Sequence, residues 1–226
     1  MNWLAHFALS PLDDRVLMGN WLADLFGRSQ LELIRDPRLR QGLSLHALID
    51  AATDRHPRML AVRADMPAEL RRTGGIVLDV VWDHFLSIEF QERTGRPLAP
   101  FVAGVLSGLE RALPVAPDRT EAILIRMRDE NWLGSYSTIE GVELTLTRIG
   151  RRLSPQARAK LSPQLASAYL QAESPRLRED FDAIWRDVSA MVTHSGLGAV
   201  QPGQPMLCES SIHGPTSVDD RKCIEH

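Results

Sequence analysis

Apolar residues recur at three- and four-residue spacing along nearly the whole chain, and no alternating Val/Ile/Thr-rich run bounded by hairpin turns occurs. The first period puts an apolar stripe on one side of an α-helix, whereas half-buried strands would need the second. The pattern predicts an all-α fold, a bundle of about eight helices, over residues 11–26, 38–65, 67–93, 97–112, 118–134, 137–152, 155–171 and 175–194. Pro37, Pro57, Pro67, Pro97, Pro155, Pro163 and Pro175 punctuate these segments, several at helix starts, where a missing N–H costs nothing. The helix drawn over 38–65 should break or kink near Pro57. After residue 195 the sequence turns rich in Gly, Pro and Ser and loses its period. A helical domain over 1–194 and a flexible, disordered tail over 195–226 are therefore expected.

The 226 residues suffice for one well-filled core, with 44% hydrophobic and 24% charged residues. A net charge of -3 gives no overall reason to expect nucleic acid. No apolar run is expected to reach the length of a membrane span, and the apolar stretch of the opening "MNWLAHFALSPLDD" is short and broken by His6, so neither membrane nor signal peptide is expected and the cytoplasm is the default location. Cys208 and Cys223 both lie in the tail, so no disulfide framework holds the core; His213 and Cys223 there fit no metal-ligand spacing.

Against this ordinary background one segment stands out. From Ile76 to Leu86, "IVLDVVWDHFL", only Asp79, Asp83 and His84 are polar. A buried carboxylate without a partner is costly, so such groups are normally paired or bound to a metal. The same anomaly recurs upstream, with Asp24 in "NWLADLF" and with His46, Asp50 and Asp54 in "LHALIDAATD". His46 and Asp50, Asp50 and Asp54, and Asp79 and Asp83 are each four apart, hence on one helix face one turn apart. Helices bearing such stripes can converge on a divalent cation, Mn²⁺, Fe²⁺, Zn²⁺ or Mg²⁺. Singly, each residue also reads as a helix cap, a surface acid or a core His bonded to a carbonyl. His84 follows Asp83 directly and so points about 100° away around the helix: a ligand, a supporting group or a proton donor. There is no Glu-x-x-His, no His-Glu-x-x-His, no P-loop and no complete Gly-x-Gly-x-x-Gly.

"MNWLAHFALS", "GNWLADLF", "GLSLHALIDAATDRHP" and "LDVVWDHFLS", with "NWLGSYSTIEGVELTLTRIGRR" further on, resemble the acyl-carrier-protein (ACP) phosphodiesterase family, or ACP hydrolases, over roughly residues 1 to 193. The resemblance implies an all-helical bundle related to the His-Asp (HD) phosphohydrolases, although here the doublet is Asp83-His84 rather than His-Asp. It implies a divalent metal, manganese first, and hydrolysis of 4′-phosphopantetheine from the serine of holo-ACP, giving apo-ACP. Metal ligands are then expected among Asp24, His46, Asp50, Asp79, Asp83 and His84, with Asp24, Asp83 and His84 catalytic. His6, Asn20, Asp54 and His56 are expected to stand behind the ligands.

ACP is small and acidic, so a basic docking face is expected. Leu144 to Ala172 contains no acid but carries Arg148, Arg151, Arg152, Arg158 and Lys160, and Arg71 and Arg72 precede the Asp79 segment. Merely solvated helix surface is the competing reading of these arginines. The competing functions are an HD-type hydrolase of nucleotides or cyclic nucleotides, and a non-catalytic ACP-binding helical protein.

Overall fold

A computed structural model describes residues 1–198; Cys208, His213, Cys223 and most of the expected tail lie outside the described residues. Among these are no strands and thirteen α-helices. In order they are α1 (Trp3–Leu9), α2 (Asp14–Leu25), α3 (Arg28–Leu31), α4 (Pro37–Asp54), α5 (Pro57–Asp65), α6 (Ala68–Arg71), α7 (Gly74–Ile88), α8 (Phe90–Thr94), α9 (Leu98–Ala112), α10 (Thr120–Asp129), α11 (Ile139–Gly150), α12 (Pro155–Arg158) and α13 (Pro163–His194). The all-α class is as the periodicity requires.

Side chains that accept from first-turn N–H groups set several starts. Asp13 caps α2, Asp36 caps α4 ahead of Pro37, Thr138 caps α11 and Ser162 caps α13 ahead of Pro163. The break expected near Pro57 is present. His56 takes the extended conformation that a following proline imposes, and its ring nitrogen accepts from Arg58 N to start α5.

Three differences from the sequence expectation have physical causes. The first helix, α1, has seven residues, all buried, so it shows no amphipathic stripe for periodicity to detect. The segment 67–93 is three helices, because Thr73 and Glu89 leave helical geometry. Conversely, Pro175 does not divide α13, which runs 32 residues through it. Tyr169 and Leu170 before the proline, and Leu177, Phe181 and Ile184 after it, are all buried, and packing on both sides outweighs one missing hydrogen bond.

The stretch Leu98–Val115 also corrects the expectation about apolar runs, since by length and composition it suffices to cross a membrane. In the fold its Phe101, Val105 and Leu109 are buried, and Arg111 at its end makes a two-bond ion pair with Asp14 of α2, both at 2.7 Å.

What positions the site is the contact between α2 and α4. A Cβ on Gly19 would lie 2.1 Å from Leu39 O, and one on Gly42 2.2 Å from Val16 O. The two backbones therefore touch, a closeness only glycine permits. This brings Asn20 and Asp24 of α2 against His46 and Asp50 of α4. Across the site lie α1 and α7, with α7 buried on every side from Val80 to Ser87.

Candidate metal centre

His6 of α1 and His46 of α4 stack with ring centroids 4.2 Å apart. Each presents its Nδ1 to one atom, Asn20 Oδ1, at 3.0 Å. Asn20 is fixed in this sense by its other end, since Nδ2 donates to His6 O at 3.2 Å and to Ser10 Oγ at 2.8 Å, while Ser10 Oγ donates to His6 O. Its oxygen must then accept, so both imidazoles carry their proton on Nδ1 and leave a lone pair on Nε2.

Both lone pairs face a third acceptor. Asp50 Oδ1 lies 3.1 Å from His6 Nε2, and its Oδ2 lies 3.0 Å from His46 Nε2. His6 Nε2 is buried and out of hydrogen-bonding alignment. Acceptors converging on acceptors need a cation among them, either an added proton or a metal ion. One donor atom from each of His6, His46 and Asp50 lies within 4.8 Å of the others, a group that can hold a metal. Asp24 stands next to it. Its Oδ2 accepts from Trp3 Nε1 at 2.7 Å, and its Oδ1 is 3.6 Å from His46 Nε2.

The electrostatics follow from this contact. Burial lowers the His6 pKa, as does the neighbouring His46, against the pull of Asp50. For His46 burial acts the same way, but the bond to Asp50 and the charges of Asp24 and Asp50 raise the pKa overall. Burial would raise Asp50, yet the two histidines hold it far below the usual carboxylate range.

The cluster opens on a cleft of about 380 Å³ whose walls include Asp24, Asp50, Asp54 and Asp79, with Arg152 and the Met1 amine as the cations. Four carboxylates would repel an anionic substrate; a bound divalent ion would offset them.

The remaining candidates are placed differently. Asp79 receives the Met1 amine at 2.7 Å. Asp83 is wholly buried, and its carboxylate accepts from the backbone N–H groups of Asn2, Leu4 and Ala5 at 3.2, 2.7 and 3.2 Å. It thus satisfies the first turn of α1 from across the core. Burial outweighs the Met1 amine and these three bonds and pushes its pKa up to about 7. His84 Nδ1 donates to Tyr136 O at 2.8 Å, and burial lowers its pKa. Asp54 lines the cleft. His56 lies 3.2 Å from Asp187 and ties α5 to α13.

Of the basic residues, Arg152 lines the cleft and lies over the Trp3 ring, 5.4 Å from its centroid. Arg148 is turned inward, 3.1 Å from Glu130 and over Trp132. Arg71 bonds Met66 O, and Arg72 and Arg151 are exposed. Trp3, which orients Asp24, escaped the sequence reading; the repeated "NWLA" of residues 2–5 and 20–23 is the signal that could have drawn attention to it.

Two buried imidazoles and a carboxylate that lines an acidic cleft define an all-helical protein with a candidate metal centre. Comparison with known proteins gives the particular family. The chain belongs to the acyl carrier protein phosphodiesterases, whose family model matches residues 1–188. Relatives carrying that name include proteins of Pectobacterium atrosepticum, 32% identical, and Serratia proteamaculans, 34% identical, each over 153 residues, or 67% of this chain and 79% of the relative. One from Escherichia coli is 32% identical over 199 residues, 87% of this chain and 100% of its own. No solved structure gives a significant match.

Proposed function

We propose that this protein hydrolyses the phosphodiester between 4′-phosphopantetheine and the serine of holo-ACP, in the cytoplasm, with a divalent ion, manganese first, held by His6, His46 and Asp50. The observation that carries the proposal is the pair of Nε2 lone pairs that Asn20 turns toward Asp50. A bound ion supplies Lewis acidity toward phosphoryl oxygen and lowers the pKa of water. The chain's own residues do the rest. Asn20 locks both ring tautomers, and Trp3 holds one oxygen of Asp24 so that the other faces the cluster. That oxygen takes the proton of the attacking water and returns it to the serine oxygen as the P–O bond to serine breaks. Arg152, at the cleft wall, orients the anionic diester. Asp83 holds α1, and through it His6, in place. His84 stands behind the site on the Tyr136 carbonyl. Exposed Arg151 and Arg158 meet the acidic carrier.

The test is to incubate the protein with holo-ACP and Mn²⁺ and weigh the carrier. Loss of the phosphopantetheinyl mass, with the serine restored and with turnover abolished by chelation, is the expected outcome. Full turnover after exhaustive metal removal would contradict the metal role. Nucleotide hydrolysis with the carrier untouched would contradict the substrate.

A further inference from the structure

The acidic cleft is not acidic on every side. Ile149 in the last turn of α11, Leu153 four residues further on and Ile76 in the first turn of α7 line it as well. All three pack on the core yet are only half-buried, so each keeps apolar surface toward the cleft. Arg152 stands beside Leu153 in sequence, its guanidinium over the Trp3 ring. The cleft thus joins a charged lining, which includes Asp50 of the candidate metal centre, to an apolar one.

At about 380 Å³ it lies in the size range of small-molecule sites, roughly 300–1,000 Å³. A folded segment of a carrier protein does not fit inside. One helical turn with its side chains, about 10 Å across and about 5.4 Å long, fills roughly 400 Å³, as much as the whole cleft. An acidic protein surface would also be repelled by the carboxylates of the cleft. What suits the apolar lining is a thin, uncharged chain, which leaves no charge unpaired there and covers half-exposed aliphatic carbons. We infer that Ile76, Ile149 and Leu153 seat the pantetheine arm of the substrate, which enters the cleft alone while the serine and the body of the carrier stay at its mouth. The inference rests on the function proposed above and adds a specificity to it: the arm beyond the phosphate is read by these three residues, and the product 4′-phosphopantetheine is itself a ligand.

The probes are 4′-phosphopantetheine and inorganic phosphate, titrated calorimetrically with Mn²⁺ into the full chain and two variants. Ile149→Ala combined with Leu153→Ala strips the apolar lining, and Ile76→Trp narrows the cleft from α7. The wild type should bind 4′-phosphopantetheine at least about tenfold more tightly than phosphate. The double variant should lose about ten- to hundredfold of its 4′-phosphopantetheine affinity, with its phosphate affinity unmoved, and KM for holo-ACP should rise in step. Ile76→Trp should weaken 4′-phosphopantetheine in the same sense, and it carries the test alone if the double variant melts early. Equal 4′-phosphopantetheine affinity in all the folded proteins would overturn the inference, as would a wild type that prefers phosphate. A raised KM with 4′-phosphopantetheine affinity unchanged would also overturn it, since the lining would then meet the body of the carrier. Affinity lost in the variants as predicted, with holo-ACP left intact by the wild type, would support the arm site and defeat the proposed reaction instead.

Discussion

The His6–His46–Asp50 cluster and the Asp79–Asp83–His84 stretch of α7 carry the same residue types, yet they are bonded in opposite ways. In α7 every acid or imidazole already has a protein donor or acceptor: an amine for Asp79, three N–H groups for Asp83, a carbonyl for His84. In the cluster the protein spends its donors on fixing tautomers, through Asn20, and leaves acceptors facing one another. A buried polar residue is evidence for a ligand only after its partners within the protein have been counted. By that measure α7 serves as frame, and the cluster is the candidate metal site.

The sharpest way to break this comparison is by mutation. On the proposed function, His46→Ala and Asp50→Ala should each lower kcat/KM by about 10³-fold or more while the fold persists, since losing a bound metal would forfeit several kcal/mol of transition-state stabilisation. Asp83→Ala should instead lose about 3 kcal/mol of stability, because it strands N–H groups in the core. Paired kinetics and denaturant melts check this. An Asp83→Ala protein as stable as the wild type but inactive would erase the distinction.

The pH dependence of stability sharpens the comparison from the other side. The folded pKa of Asp83, about 7, lies above the ordinary carboxyl value of 3.8. Its contribution is therefore fully present below pH 3.8 and is lost as pH rises through 7, a swing on the order of 4 kcal/mol at most. Asp79, also raised, acts in the same sense, whereas His6, lowered, contributes stability that is lost as pH falls below its ordinary value. Subtracting the profile of Asp83→Asn isolates the first effect. The wild type should lose stability relative to that variant between acid and neutral pH, and parallel profiles would show that the Asp83 charge is not strained.

The smallest effect belongs to the surface. Arg151→Glu with Arg158→Glu should raise KM for holo-ACP several-fold at low salt, an effect that fades once the Debye length shrinks to about 8 Å at 0.15 M. Arg148→Glu should cost stability instead, because its guanidinium sits inside against Glu130 and Trp132. Unchanged KM in the double variant would mark that surface as merely solvated.

Much of this was legible in the sequence. Helical period and proline positions yield the class, the break before Pro57 and the faces that join His46 to Asp50. What periodicity could not convey is long-range bonding. Nothing local says that Asp83 will cap a helix some eighty residues away, or that His84 will meet the Tyr136 carbonyl. His6 could be named but not placed, because α1 is too short and too uniformly buried to show a face. Asn20 entered only through family resemblance, since an amide among apolar residues carries no chemical signature until its two histidines are seen. Pro175 misled for the converse reason, because a local rule yielded to packing on both sides of it.

The most direct test of the divided roles is pulsed electron paramagnetic resonance on the Mn²⁺-loaded protein with ¹⁵N-labelled histidine. Couplings from two imidazole nitrogens are expected in the wild type, one of them lost in His6→Ala and both kept in His84→Ala. A spectrum in which His84→Ala removes a coupling while His6→Ala removes none would contradict the assignment of the metal to the α1–α4 cluster.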